Sequence, residues 1–238
     1  MKFKLKTISA ALMLLTVSAL AIAAVDGLSV KRQVKEGQIL KLKIKADLEI
    51  QGQAATFTAL TDQKCTKLEA DGTYTIESTQ HDGKAVFGGQ DIDIPQTPPV
   101  SSVYNADGSL KQIKGDDTIA SPAAYRMSNL SVLVDPGKTL NVGDSWSVDI
   151  KGDTKTGAEA AKAEYKVLGE EKVGDLDTIK VKFSVKETSG AMPASSEGTT
   201  WISKVDGTEV KSEAKWTDAP MPGAPMPITA TVTISRVQ

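Results

Sequence analysis

The chain has 238 residues, a formal net charge of −2 and only 5% aromatic residues. Mixed charge with a slight acidic excess supplies no basic field for nucleic acid or an anionic membrane surface. One His and one Cys rule out an internal disulfide and leave no zinc ligand set, so stability must come from packing.

The first residues read as a secretory signal peptide over 1–23. Lys2, Lys4 and Lys6 form a basic start, Ile8 to Leu20 an apolar stretch, and Ala21-Ile22-Ala23 a small-residue cleavage site. The apolar run is short for a retained membrane span of about 20 residues. An exported protein, periplasmic or extracellular, is expected. Removing three lysines and no acids takes the net charge to about −5. The mature chain, 24–238, is long enough for a single all-β domain.

From Leu40 the pattern alternates strictly. Leu40, Leu42, Ile44, Ala46, Leu48 and Ile50 interleave with Lys41, Lys43, Lys45, Asp47 and Glu49. Period two places the sets on opposite faces of a strand. Gln51-Gly52-Gln53 turns the chain, and Ala55, Phe57 and Ala59 open the return strand. Further turns are expected at Asp71-Gly72, Asp82-Gly83, Asp107-Gly108 and Asp206-Gly207. On this reading His81 sits at a hairpin tip, and Cys65 is a small buried strand residue.

Pro-rich runs at Ile94–Val100 and Ala219–Ile228 read as crossing loops, because Pro donates no ladder bond. Between them, Ser121 is an N-cap candidate and Pro122 suits the first helical position. Ala124, Met127, Leu130 and Leu133 follow at helical spacing. A short helical segment over about 121–134 should join halves at about 28–115 and 136–238, and cover an apolar sheet face.

The second half repeats the alternation. Trp146, Val148 and Ile150 form one strand, Ala161 to Val167 the next, and Ile179 to Val185 a third. A hairpin follows with Val210, Ala214 and Trp216 on one face, and Ala230, Val232 and Ile234 end the pattern. Trp201 lies between Thr200 and Ile202, which leaves its side undecided. "NVGDSWSVDIK" at Asn141–Lys151 mirrors "KEGQILKLKIK" at Lys35–Lys45, matching Gly37 to Gly143 and Leu40 to Trp146. Two similar β-meanders would explain this, and so would any turn followed by an alternating strand.

Chemistry-bearing motifs are weak. Gly143-Asp144-Ser145 echoes a hydrolase opening, but a nucleophilic serine needs a base and His81 is the one His. Pro136-Gly137-Lys138-Thr139 lacks the first Gly of a phosphate-binding loop. No calcium loop is present around Asp91, Asp93, Asp116 or Asp117, and Met192, Met221 and Met226 read as loop filler before copper ligands. No catalytic residue, cofactor or metal is therefore expected. The aromatic strand residues Trp146, Tyr165, Phe183 and Trp216 are the candidate ligand-binding set, since thin side chains (Ala46, Ala59, Ala163, Ala214) share their faces.

The elements Pro136, Val142, Gly143, Asp144 and Trp146, then Gly169, Glu171 and Val173, then Trp201 and Gly207, resemble an uncharacterised family of exported bacterial β-proteins. The hairpins are also similar to the half-barrel sheet of periplasmic lipoprotein carriers and mycobacterial lipid-binding lipoproteins. The resemblance implies an all-β, strongly curved antiparallel sheet, half-barrel-like, with one short covering helix. It supplies no catalytic residues. The expected function is non-enzymatic binding of a lipid or other hydrophobic small molecule on a concave apolar face. The competing reading is a structural or interaction component of the envelope with a protein partner.

Overall fold

The computed structural model describes residues 27–50, 53–222 and 226–237. The signal peptide expected over 1–23 and the Gln51-Gly52 turn lie outside these residues. The protein is all-β with one short helix. Six strands precede the helix: β1 (Ile39–Ile50), β2 (Gln53–Leu68), β3 (Tyr74–Phe87), β4 (Gln90–Ile94), β5 (Val100–Tyr104) and β6 (Leu110–Lys114). Helix α1 spans Pro122–Leu130. Six more follow: β7 (Ser145–Ile150), β8 (Ala161–Val173), β9 (Leu176–Glu187), β10 (Ser195–Ser203), β11 (Glu209–Ala219) and β12 (Ile228–Arg236).

All twelve strands join one antiparallel sheet in the order β6-β5-β3-β2-β1-β12-β11-β10-β9-β8-β7, with β4 beside β3. Each half meanders outward between its own first strand and last strand, and β1 pairs with β12 where the halves meet. The repeated sequence has a structural counterpart. Gly37 and Gly143 both take positive φ. Gly37 N donates to Cys65 O and Cys65 N to Gln38 O, while Gly143 N donates to Val167 O and Val167 N to Asp144 O. The same turn thus launches the first strand of each meander onto the second.

The sheet is open but strongly curved. Tyr104 on β5 and Tyr165 on β8 border one cavity, although eight strand spacings separate their strands. A flat sheet would hold them about 38 Å apart at about 4.8 Å per strand. Gly198 shows how the curl is accommodated. A Cβ there would fall 2.1 Å from Glu213 O on the neighbouring strand, so only glycine allows that approach. The main core lies on the concave face, where Val167, Val181 and Val185 are fully buried against Leu130 and Leu140.

Helix α1 bridges the open edge at β6 and the second meander at β9. Ser121 Oγ accepts from Ala124 N at 3.4 Å, and Pro122 stands at the start, as its fixed φ favours. Tyr125 Oη accepts from Ile113 N and donates to Ile113 O at 3.1 and 3.3 Å, occupying the free edge of β6. Arg126 forks onto Glu187 of β9 at 2.7 and 2.6 Å, and Glu187 also accepts from Ala194 N. The helix ends at Leu130, short of Leu133. Beyond it the carbonyls of Val132 and Val134 accept bonds from the Tyr165 hydroxyl and the Trp146 indole, which holds the chain out of helix.

Two expectations need correction. Asp82-Gly83 is not a hairpin turn, and His81 is not at a tip; both lie inside β3. Asp82 takes φ 52°, and the register against β2 slips between Thr58 and Leu60. The positive φ is absorbed as a bulge, and the chain continues along β2. Cys65 is buried beside Tyr74 and Ile76, and burial pushes its thiol up.

Candidate ligand cavity

The concave face, the N-terminal segment and the α1 region enclose a cavity of about 400 Å³. This lies within the roughly 300–1,000 Å³ typical of small-molecule sites. Its floor follows from strand register. Ala46, Val232, Ala214 and Gly198 stand opposite one another across β1, β12, β11 and β10; Val232 and Ala214 line the cavity, and Ala46 and Gly198 continue the row on either side. Phe57 flanks this row on one side, and Phe183 followed by Tyr165 on the other. Small residues in the centre and large ones at the flanks leave a trough.

The roof is the lid formed by α1 and Ser131–Asp135. Met127, Val132 and Leu133 line the cavity. Beyond the bonds to Trp146 and Tyr165, Asp135 N donates to Asp107 O at 2.8 Å, which ties the lid to the β5–β6 turn. Lid and sheet are thus joined at both margins: lid carbonyls accept from side chains of the second meander, and the Asp135 N–H donates to the first.

One end is closed by a strap, residues 27–38. Leu28 pairs with Leu140, Gln33 N donates to Asp206 O and Gly37 N to Cys65 O, each at 2.8 Å where they donate. Gly207 makes this crossing feasible: a Cβ there would meet Lys31 O at 2.0 Å, and its φ is +64°. The strap delivers Val30 and Arg32 to the cavity.

The strap end is polar and the far end apolar. Arg32 stands among Gln63, Thr61, Thr200 and Glu209, and its Cζ lies 5.8 Å from the Tyr74 ring centre. Glu209 arrives there through a β-bulge. Trp201 pairs with Lys211 but Ile202 pairs with Glu209, skipping Val210. Strict alternation would have put Glu209 on the outer face; the bulge turns it inward. Its carboxyl is pushed above the usual glutamate range by burial, against hydrogen bonds from Ser212 and Thr200. Burial likewise raises the Tyr74 phenol to about 12. Toward the other end, Ser196 faces the cavity beside Trp216, buried and without a hydrogen-bond partner among the described residues.

Three of the four aromatic candidates line this cavity: Tyr165, Phe183 and Trp216. Trp146 does not. It stacks on Tyr165 at 4.9 Å and donates to Val134 O at 2.9 Å, so it supports the lid from the side. Trp201 lies on the outer face, its Nε1 donating to Glu171 and its ring between the Lys180 and Lys211 ammonium groups at 5.0 and 4.7 Å. Arg32 and Glu209 were not singled out in the sequence. The Gly143-Asp144-Ser145 run forms a turn in which Asp144 Oδ2 accepts from Asn141 N at 2.8 Å, and Ser145 is exposed at the start of β7.

No family model and no curated protein matches the chain. Among solved structures, lipovitellin aligns with a TM-score of 0.49 and 10% identity, over 86% of this chain and 25% of that one. This chain therefore spans about a quarter of the lipovitellin chain. A presumed lipoprotein of Parabacteroides distasonis aligns with a TM-score of 0.38 and 14% identity, over 89% and 98% of the two chains. The hypothetical lipoprotein YmcC of Escherichia coli aligns with a TM-score of 0.32 and 13% identity, over 83% of each. Likeness at this level assigns no function. No helix among the described residues is long and apolar enough to cross a membrane.

Proposed function

We propose that this is an exported, non-enzymatic binding protein that holds one lipid or similar hydrophobic molecule between the concave sheet face and the lid. The observation that carries the reading is the trough: Val232 and Ala214, in the small-residue row of the sheet, line a cavity of about 400 Å³ under the lid. Apolar walls that face such a hollow forfeit dispersion contacts. An apolar occupant restores them and gains about 0.8 kcal/mol per buried CH₂. Binding without chemistry is supported by where the nucleophile and base candidates lie. Ser145 is on the exposed edge strand, and His81 is on β3 next to Asp82, outside the cavity lining.

The test is titration of the delipidated mature protein with long-chain amphiphiles, followed by intrinsic fluorescence and melting temperature. Trp216 lines the cavity, so occupancy should shift emission. A ligand that binds only the folded state stabilises it by about 2.7 kcal/mol at a hundredfold excess over Kd. Absence of both responses for every chain tested would overturn the reading. The envelope-interaction alternative then gains from one feature: β7 pairs only with β8 among the described strands, leaving one edge for strand addition.

A further inference from the structure

The cavity carries a guanidinium that makes no ion pair among the described residues. Arg32 Nε is buried and has no hydrogen-bond partner among the described residues. Its Nη2 reaches Gln63 Oε1 only at 3.5 Å, a marginal bond. The carboxyl that shares this end, Glu209, is bonded by Thr200 at 3.3 Å and makes no ion pair with Arg32. The neighbouring Arg236 also leaves its Nε without a partner among the described residues, but its Nη2 has both Asp206 and Thr208. Arg32 as a whole is part-buried, but a buried N–H such as its Nε is costly without an acceptor, and a planar fork is best met by a carboxylate.

The group is also placed. The strap on either side of Arg32 is fixed by the Leu28–Leu140 bridge and the Gln33–Asp206 bond, and the close crossing over Gly207 sets its depth. A held donor set loses little freedom when a ligand arrives. From this end the floor runs through Ile44 and Ile234, then Val232 and Ala214, to Trp216. A polar anchor followed by an apolar trough is the complement of one molecule type.

Resting on the binding reading above, we infer that the ligand is a single-chain amphiphile with a carboxylate head. Its head is forked by Arg32 under the strap, and its tail lies along the trough toward Trp216. One unpaired cation neutralises one negative charge, which fits a carboxylate monoanion. Burial raises the Glu209 carboxyl, which lessens its repulsion of a carboxylate head placed beside it.

The experiment compares dodecanoate with methyl dodecanoate on the delipidated mature protein by calorimetry, for the native chain and for Arg32→Met. The native chain should bind the acid at least about tenfold more tightly than the ester, the scale of one charge-assisted hydrogen bond. Arg32→Met should lose that preference and keep the ester affinity. Equal affinity for acid and ester in the native chain overturns the inference and leaves the binding reading standing. No binding of either overturns both. An Arg32→Met protein that keeps the preference overturns the inference as well. Should the variant fail to fold, carbon-13 NMR of carboxyl-labelled dodecanoate on the native chain decides. A guanidinium partner lowers the bound acid's titration midpoint below that of the free acid, and an unmoved or raised midpoint overturns the inference.

Discussion

Replacing Ala214 by Leu decides whether the trough is open space. Ala214 stands mid-strand on β11 between Gly198 and Val232 and faces the cavity. Leu adds three carbons at that point. If they enter unfilled volume, they gain about 0.8 kcal/mol each, or about 2.4 kcal/mol at most. Ordering the side chain returns about 0.5–1 kcal/mol, which leaves a net gain of about 1.5 kcal/mol. In a chain of this size 1 kcal/mol corresponds to about 2–4 °C, so the melting temperature should rise by about 3–6 °C. Were the face packed dry against the lid, the same three carbons would overpack it and cost about 1–3 kcal/mol. The sign therefore separates the two cases. Calorimetric melting of the delipidated variant reads it, and dodecanoate affinity should fall at least about tenfold, because Leu occupies the tail's path. A lower melting temperature with unchanged ligand affinity would refute the cavity argument.

Three further outcomes follow from the site. Arg126→Met strands Glu187, whose side chain is only 2% exposed, and should destabilise by about 3–5 kcal/mol in urea unfolding; a loss under 1 kcal/mol would mean the helix is not latched there. Trp146→Ala should cost about 3 kcal/mol, the low end for a partly buried aromatic, whereas Ser145→Ala at the exposed start of β7 should stay within about 0.5 kcal/mol. Equal small effects would contradict the role given to Trp146. Burial raises the Glu209 carboxyl, so the folded state holds that proton more tightly than the unfolded chain. Its contribution to stability is present below the ordinary glutamate pKa and is lost as pH rises through the folded value. Glu209→Gln removes that loss, so the variant should gain on the native chain as pH is raised from acid toward neutral. Parallel melting-temperature curves across that window would rule the burial argument out.

Much of the sheet was legible because one face is wet and the other is not. Alternation in β1, β7, β8, β9 and β12 matches the inward set of each strand, and the Ser121-Pro122 start of α1 is local chemistry that needs no tertiary context. Asp82-Gly83 misled because the dipeptide supplies the positive φ of a hairpin turn and of a strand bulge alike; only the length of β2 opposite decides between them. The polar end of the cavity was invisible for two reasons. Arg32 lies outside any periodic run, and its depth depends on the strap crossing Gly207, a contact 175 positions away in the chain. Glu209 reads as an outward residue until the bulge at Val210 shifts it by one. Strand parity gives the face of Trp146 but not its partners: its indole stacks on Tyr165 across the β7–β8 pair and donates to the lid carbonyl of Val134.

Native mass spectrometry of the protein expressed from its full-length sequence and purified without detergent tests the central claim most directly. The account predicts a folded species carrying one adduct of acyl-chain mass, released as a long-chain acid on denaturation and lost from Ala214→Leu. A native chain that runs at its bare polypeptide mass, and gains no adduct when offered any acyl chain, would contradict it.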